Sequence, residues 1–243
     1  MSDVHSDCSS GVLPKGPHRL GRDAVEESQR TRMFDAIIAI VAEKGYRATT
    51  VADVIGSAKV SRRTFYEHFA DKDACFSAAF SSGMNELLVE VVTATAAGGD
   101  RDQRIEGGHR ALCVALAKRP ALATVFLVCA PQAGADVRAK YERYLAGTVS
   151  LLRQLVSEGR KKHPELPPEL SEHAARAIVG AVVSLLTSHL LTHGADRLPD
   201  LVPTLLAVVH ALLLADVPPP SMQASDSSTG PSAWATSARR CRD

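Results

Sequence analysis

The stretch 49–72 constrains this chain more than any other part of its sequence. It holds two short helical patterns, and only residues 58–60 separate them. Thr49 or Thr50 precedes the first pattern and Ser61 precedes the second, and such side-chain oxygens accept hydrogen bonds from the first free amides of a helix. The stretch therefore predicts two capped helices that meet at a tight turn.

The second of these helices has two chemically different faces. Phe65 and Phe69 are four residues apart, which places them on one side of the helix and predicts that this side packs into a core. On or beside the opposite side are Lys59, Ser61, Arg62, Arg63, Thr64, Tyr66, Glu67, His68 and Lys72. Such a surface suits a helix that enters the major groove of DNA, where side chains meet both base edges and phosphates.

Position within this surface suggests separate roles. Arg62 and Arg63 begin the second helix and are the predicted base readers, because a bidentate arginine–guanine pair discriminates by about 1–3 kcal/mol. Thr64 is assigned to a thymine methyl group or a phosphate, and Glu67 to a cytosine amino group or to repulsion of wrong registers. The predicted phosphate contacts are Thr50, Tyr66, His68 and Lys72.

The alternative interpretation is that Arg62 and Arg63 lie on a solvated helix face and that Tyr66 is a packing residue. An isolated basic pair would favour that interpretation. Two capped helices around a short turn, with a further helix before them, favour DNA binding instead. The formal net charge of +1 is no objection, because the basic residues concentrate in 15–22 and 59–72 while acids fall on other predicted helices.

The chain divides into four predicted parts. Residues 1–22 form a flexible basic arm, residues 23–70 a domain of three helices, residues 71–216 a larger helical domain, and residues 217–243 a disordered tail. No stretch shows the alternation of a β-strand, so the predicted fold class is all-α. The predicted helices lie at about 24–44, 50–56, 61–70, 71–96, 101–118, 121–130, 135–162, 170–193 and 200–215.

The basic end of the arm has two interpretations. Arg19 and Arg22 are candidate DNA contacts, since basic arms of other helical DNA-binding proteins enter the adjacent minor groove. Alternatively, the arm is a solubilising tail and contacts nothing.

The residues of the helical pair and its surroundings resemble the N-terminal domain of the tetracycline-repressor (TetR) family. The matching segments are 43–46, 49–55, 60–69 and 71–73, within about residues 30–80. The resemblance implies a three-helix DNA-binding domain joined to an all-helical domain that binds a ligand and forms a dimer. It further implies a repressor that a small molecule releases from its operator.

The family resemblance also implies roles for single residues, and it exposes one difference. Residues that match Thr50, Tyr66, His68 and Lys72 commonly hold phosphates in the family, and residues that match 62–64 and Glu67 lie at or near the bases. The family often has glycine in the turn where this chain has Lys59. If that residue adopts a positive φ, the side chain costs about 1 kcal/mol, which a phosphate contact could offset.

The helices predicted at about 170–193 and 200–215 are apolar nearly all round. Only one side of each can face the core of a single subunit, so we expect the other side to form the interface of a homodimer. Two-fold symmetry then predicts a palindromic operator in double-stranded DNA. Polar residues interrupt the most apolar parts, 174–191 and 201–215, which are short for a membrane span of about 20 residues, so no membrane contact is predicted.

The central helices supply residues that we expect to line an effector cavity, although each of them also suits ordinary core packing. They are Met84, Leu88, Leu112, Leu116, Phe126, Cys129, Tyr141, Tyr144 and His189. No cluster of charges accompanies them, so a mainly hydrophobic small molecule is the expected ligand.

No motif predicts catalysis, a cofactor or a bound metal. His189 and His193 are four residues apart, but the third ligand and the glutamate of a zinc-binding helix are missing. Five scattered cysteines and a polar N-terminus indicate a reducing, cytoplasmic location at the nucleoid. The open alternatives are a constitutive regulator or an activator without effector, and a helical enzyme or carrier whose Arg62 and Arg63 bind an anionic metabolite.

Overall fold

A computed structural model of the chain describes residues 22–159 and 169–214. Those residues form α-helices, with two 3-10 segments and one π-helical turn, and none of them lies in a β-strand, which confirms the all-α prediction. The α-helices are α1 (Arg22–Lys44), α2 (Val51–Ala58), α3 (Arg62–His68), α4 (Lys72–Ala96), α5 (Arg101–Lys118), α6 (Pro120–Thr124), α7 (Ala135–Gly159), α8 (Glu172–His193) and α9 (Val202–Leu214). The predicted tail and the predicted arm, except for Arg22, lie outside the described residues.

The first three helices close around a small apolar core. Met33, Ile37 and Val41 of α1 are completely buried, as are Val54 of α2 and Phe65 of α3. The residues on α1 are four positions apart, which gives one continuous inward stripe. The structure therefore confirms the inward face predicted for Phe65.

Capping residues fix the limits of α2 and α3. The Thr50 hydroxyl accepts a hydrogen bond from the Asp53 amide, and the Asp53 carboxylate accepts one from the Thr50 amide at 2.7 Å, which is a complete capping box. The Ser61 hydroxyl accepts a hydrogen bond from the Thr64 amide at 3.0 Å. These contacts confirm Thr50 and Ser61 as caps. Helix α2 runs two residues beyond its predicted end at Gly56, because its left-handed closing residue is Lys59.

Helix α4 joins the small domain to the larger one. The Asp71 carboxylate caps it as predicted, accepting a hydrogen bond from the Ala74 amide at 2.7 Å. Along its length α4 packs against α1, α5 and α7. Helix α4 therefore contacts both the small domain and the bundle, and α1 adds a second contact between them through α6 and the π-helical turn.

The segments after α5 and α8 differ from the predictions. The prediction of one helix at 121–130 is wrong in detail, since α6 ends at Thr124 and a π-helical turn, Val125–Cys129, follows it. The next residues end the helix because Pro131 has no amide hydrogen to donate. The helix predicted at 200–215 becomes α-helical at Val202, as α9, and an unpredicted 3-10 segment, Ala195–Leu201, leads into it.

Helices α8 and α9 bury one side and expose the other. Leu186, Leu205 and Val209 are fully buried within the bundle. On the outer side, Leu191 is 68% exposed and Leu214 is 63% exposed. By length and composition Glu172–His193 and Ala195–Leu214 are long and apolar enough to cross a membrane, so the expectation that these segments are too short for a span is wrong. Their exposed apolar side is the kind of surface that packs against another apolar surface.

Candidate nucleic-acid interface and ligand cavity

The turn between α2 and α3 is left-handed at Lys59. This residue has φ 53° and ψ 47°, and among the described residues it is the one non-glycine residue with a positive φ. Its amide donates a hydrogen bond to the Ile55 carbonyl oxygen, which closes α2. The backbone thus adopts the conformation for which glycine is the favoured residue, and it does so with an exposed lysine.

Helix α3 presents its polar side chains outward. Arg62 and Arg63 are exposed, and Arg63 Nε donates a hydrogen bond to Glu67 Oε1 at 2.9 Å. Tyr66 is 49% exposed, and its ring packs edge-on against the buried ring of Phe65. The buried phenylalanine therefore anchors the helix while the next residue stands at its surface.

Two of the predicted phosphate contacts already have protein partners. Lys72 Nζ donates a hydrogen bond to the Tyr46 carbonyl oxygen at 3.1 Å, and His68 Nε2 lies 3.5 Å from Gln29 Oε1. Both side chains are half-buried, whereas Thr50 is exposed beside its capping box. Lys72 and His68 are consequently held in place before any nucleic acid binds.

Hydrogen bonds near this surface shift two pKa values. Lys44 and Thr50 donate hydrogen bonds to the Asp53 carboxylate and lower its pKa from 3.8 to about 2. Burial raises the pKa of the Tyr46 hydroxyl well above its ordinary range, and its hydrogen bond to Asp73 adds to the effect. Asp53 is therefore ionised and Tyr46 is a neutral donor at physiological pH.

The remaining predicted DNA contacts are placed as follows. The Ser61 and Thr64 hydroxyl groups lie 2.8 Å apart at the start of α3, where Ser61 also caps the helix. Arg22 is the first residue of α1, and Arg19 lies outside the described residues. The structure thus groups most of the predicted set on α3 and its two flanking turns.

A cavity of about 150 Å³ lies inside the larger domain, between α4, α5, α7 and α8. Its wall is almost entirely apolar. Five of the residues predicted to line a cavity do so: Met84, Leu88, Leu112, Phe126 and Tyr144. The structure thus brings residues from α4, α5, α7 and the π-helical turn together around one cavity.

The other four residues of that prediction do not line this cavity. Leu116 is fully buried in the core, and the Tyr141 ring packs against the Phe126 ring at 5.5 Å. Cys129 Sγ donates a weak hydrogen bond to the Val41 carbonyl oxygen, and burial raises the pKa of its thiol. His189 Nε2 donates a hydrogen bond to the Arg197 carbonyl oxygen at 2.9 Å, which turns the ring toward the 3-10 segment before α9.

Sequence reasoning missed much of the cavity wall. His109 lies three residues before the predicted Leu112 on α5, so the helical period could have identified it. Helix α8 supplies Val182, Val183 and Leu186, whereas His189 is the one residue of this helix that was predicted to line the cavity. The helix can line the cavity and also form the predicted dimer interface because its two sides face different surroundings.

The described residues contain no group of three His, Cys, Asp or Glu side chains that could hold a metal ion. His189 and His193 stack on each other with ring centres 4.4 Å apart. The contact between the two histidines is therefore a packing contact between rings.

Comparisons with known proteins agree with this arrangement. Residues 34–79 match the family model of bacterial regulatory proteins of the tetR family. A search of the curated proteins gave no match. The matched segment runs from the core of α1 through α2 and α3 into α4 and includes the whole exposed surface of α3.

Solved structures with the same fold include several bacterial regulators. The fatty acid degradation regulator FadR of Bacillus halodurans is 22% identical, with coverage of 81% of this chain and 96% of that chain and a TM-score of 0.66. FadR of Bacillus subtilis, solved in complex with stearoyl-CoA, is 20% identical, with coverage of 74% and 96% and a TM-score of 0.66. A TetR-like regulator from Rhodococcus sp. RHA1 is 19% identical, with coverage of 79% and 99% and a TM-score of 0.62. At these identities the likeness shows a shared fold.

Proposed function

Since residues 34–79 of this chain belong to the tetR family of bacterial regulatory proteins, we propose that the protein is a homodimeric repressor that binds a palindromic operator and is released by a small hydrophobic ligand. The observation that carries the proposal is the geometry of α3. Its exposed Arg62, Arg63 and Tyr66 stand on a helix that Phe65 anchors and Ser61 caps. A rigid helix with this surface fits the major groove.

The proposed contacts divide into base readers and positioning residues. Arg62 has no hydrogen bond or ion pair to another described residue, and Arg63 is held only by the exposed Glu67. Both guanidinium groups are therefore available to guanine O6 and N7. Thr50, Tyr66, His68 and Lys72 supply donors to phosphates, and Lys59 adds a cation at the turn.

The exposed sides of α8 and α9 support the proposed dimer. A side chain added at Gly180 would meet no atom within 4 Å, so this part of α8 is open. Small residues share the exposed side with Gly180, and Leu191 and Leu214 protrude beyond them. Pairing with a second copy covers this surface and sets two α3 helices about 34–36 Å, or a multiple of that distance, apart on DNA.

Two glycines give a matched test of the interface. Gly180 on α8 and Gly147 on α7 both have open space beside them. We expect Gly180→Arg to produce a monomer at micromolar concentration and to weaken DNA binding, because it places a charge in the proposed interface. Gly147→Arg should stay dimeric. Light scattering measures the mass of both variants, and a monomeric wild-type protein contradicts the proposed dimer.

The cavity supports an apolar effector. An apolar cavity of about 150 Å³ matches a molecule the size of benzene, so we expect a much larger ligand to move the surrounding helices apart. Helix α4 forms part of the wall through Met84 and Leu87 and also packs against α1. A ligand that favours the separated arrangement shifts the DNA-binding domains away from operator spacing, to the extent of its differential affinity for the two arrangements.

Release from DNA tests this part of the proposal. The structural relative from Bacillus subtilis was solved with stearoyl-CoA, so long-chain acyl-CoA thioesters belong in the screen beside simple aromatic compounds. We expect at least one apolar compound to lower the fluorescence anisotropy of labelled operator DNA mixed with the protein. A screen in which none does so contradicts the effector, while DNA binding itself can still stand.

A further inference from the structure

His109 is the one histidine among the described residues that line the cavity, and no Asp, Glu, Lys or Arg is among them. Its Nδ1 lies 2.8 Å from the Ile105 carbonyl oxygen, one helical turn earlier on α5. A carbonyl oxygen can only accept a hydrogen bond, so Nδ1 carries the hydrogen. The backbone of α5 thereby fixes the tautomer of the ring.

The ring is also kept neutral. Burial lowers the pKa of His109 below its ordinary value, and the neighbouring His210 lowers it further, against the opposing effect of the Ile105 hydrogen bond. A neutral imidazole with its hydrogen on Nδ1 has a lone pair on Nε2. His109 Nε2 is therefore a hydrogen-bond acceptor.

Among the described residues, His109 Nε2 is unpartnered and is not fully buried. Within the part of the chain that the structure describes, Nε2 of His109 has no hydrogen-bond partner. The fully buried side-chain nitrogens without partners are Arg101 Nη1, Arg119 Nη1 and His210 Nε2, and His109 Nε2 is not among them. Because Nε2 lacks a partner and is not among the fully buried atoms, it keeps some accessible surface at which a hydrogen-bond donor can meet it.

The other polar groups of the wall have already used their hydrogens. The Thr95 hydroxyl donates to the Val91 carbonyl oxygen at 2.8 Å, and the Thr148 hydroxyl donates to the Tyr144 carbonyl oxygen at 3.1 Å. The Tyr144 hydroxyl donates to Asn85 Oδ1 at 3.0 Å. These groups can therefore only accept hydrogen bonds from a ligand. The described wall contains no Asp, Glu, Lys or Arg.

We propose that this cavity selects an apolar molecule bearing one hydrogen-bond donor, a hydroxyl or an N–H group, and that His109 Nε2 accepts that donor. The inference rests on the proposed function, in which the cavity is the effector site. An ionised carboxylate is disfavoured in the cavity, because its oxygens only accept hydrogen bonds and would face further lone pairs. His109 thus determines specificity while the aliphatic wall supplies affinity.

Phenol and toluene form a matched pair of probes for this proposal, since they have the same shape and only phenol has a donor. The test compares their dissociation constants, measured by calorimetry, in the full-length wild-type protein and in His109→Phe. One hydrogen bond contributes about 1 kcal/mol, so the preference for phenol over toluene should fall about fivefold in the variant. His193→Phe, which changes a histidine outside the cavity, should keep the wild-type preference.

A measurement on the wild-type protein covers the case in which His109→Phe does not fold. Long-range ¹H–¹⁵N NMR should show the hydrogen of His109 on Nδ1, and the Nε2 resonance should shift with phenol but not with toluene. If phenol binds and the Nε2 resonance does not shift, the proposal that His109 accepts the ligand's hydrogen bond is wrong.

The outcomes separate this inference from the proposed function. If both probes bind and His109→Phe prefers phenol over toluene as strongly as the wild type does, the proposed role of His109 is wrong. The proposal of an apolar effector site is then unaffected. If benzoate binds more tightly than phenol, a site for anions replaces the proposed one. If no probe binds the wild type, the cavity is not a ligand site, and the effector part of the proposed function fails together with this inference.

Discussion

Lys72 Nζ lies 4.4 Å from the centre of the Tyr46 ring and donates a hydrogen bond to the Tyr46 carbonyl oxygen. The Tyr46 hydroxyl in turn donates a hydrogen bond to Asp73, in the first turn of α4. Residues on both sides of α2 and α3 thus hold one ammonium group at the edge of the small domain. This arrangement gives Lys72 a fixed position from which it can meet a phosphate.

Removing the charge of Lys72 and removing its support should weaken DNA binding in different ways. Lys72→Met removes a phosphate contact and should lower the slope of log affinity against log salt by about 0.9. Tyr46→Leu keeps the cation but removes the ring beneath it, so we expect an affinity loss of a few fold with the slope unchanged. Titrations of labelled DNA at several salt concentrations measure both. Equal slopes for the wild type and Lys72→Met contradict the phosphate contact.

Replacing Lys59 should raise stability and weaken DNA binding. Its left-handed backbone costs a non-glycine residue about 1 kcal/mol, so Lys59→Gly should raise the melting temperature. The same change should lower the salt slope of DNA binding if the side chain meets a phosphate, as we expect. Lys59→Asn is the matched control, because asparagine tolerates this conformation and carries no charge.

A higher melting temperature with unchanged affinity and slope for Lys59→Gly would exclude the phosphate contact. An unchanged melting temperature would show instead that the turn carries no strain.

The low pKa of Asp53 predicts how acid affects the stability of the DNA-binding domain. Its pKa is lowered in the folded protein to about 2, so its contribution to stability is fully present above about pH 4 and is lost as the pH falls through 2. Asp53→Asn should lower the urea midpoint at pH 6, and the gap from the wild type should narrow below pH 4. Circular dichroism at several pH values measures the midpoints. A gap that stays constant down to pH 3 contradicts the role of the ionised carboxylate.

Arg62 and Tyr66 should differ in what they do to sequence preference. Arg62→Ala should flatten the preference at one base pair by about 1–3 kcal/mol, because it removes a contact to a base edge. Tyr66→Phe removes a hydroxyl that we assign to phosphate, so it should weaken binding to all sequences alike. Competition between an operator and single-base variants measures both effects. Identical behaviour of the two variants would show that the division of roles is wrong.

The sequence predicted best those features that depend on neighbouring residues. Thr50, Ser61 and Asp71 cap helices because each side chain reaches an amide three residues later, which the order of residues alone determines. The left-handed conformation of Lys59 was only a possibility that the family resemblance raised, because the family often has glycine in this turn.

Features that depend on distant parts of the chain could not be predicted in the same way. The π-helical turn Val125–Cys129 carries Phe126 to the cavity, and its irregular hydrogen bonding depends on packing against other helices. Tyr141 and Leu116 have the periodicity of cavity residues but pack into the core instead. Which side of an apolar helix meets empty space is decided by the approach of helices far apart in sequence.

The central claim is that two copies of α3 read a palindromic operator through Arg62 and Arg63. Selection of bound sequences from random double-stranded DNA tests it most directly, with the full-length wild-type protein and with the double variant Arg62→Ala, Arg63→Ala. We expect the wild type to enrich two inverted half-sites whose centres are about one helical turn, or a multiple of it, apart, and the double variant to lose that enrichment. Enrichment of no sequence by the wild type, or of the same half-sites by the double variant, would contradict the account.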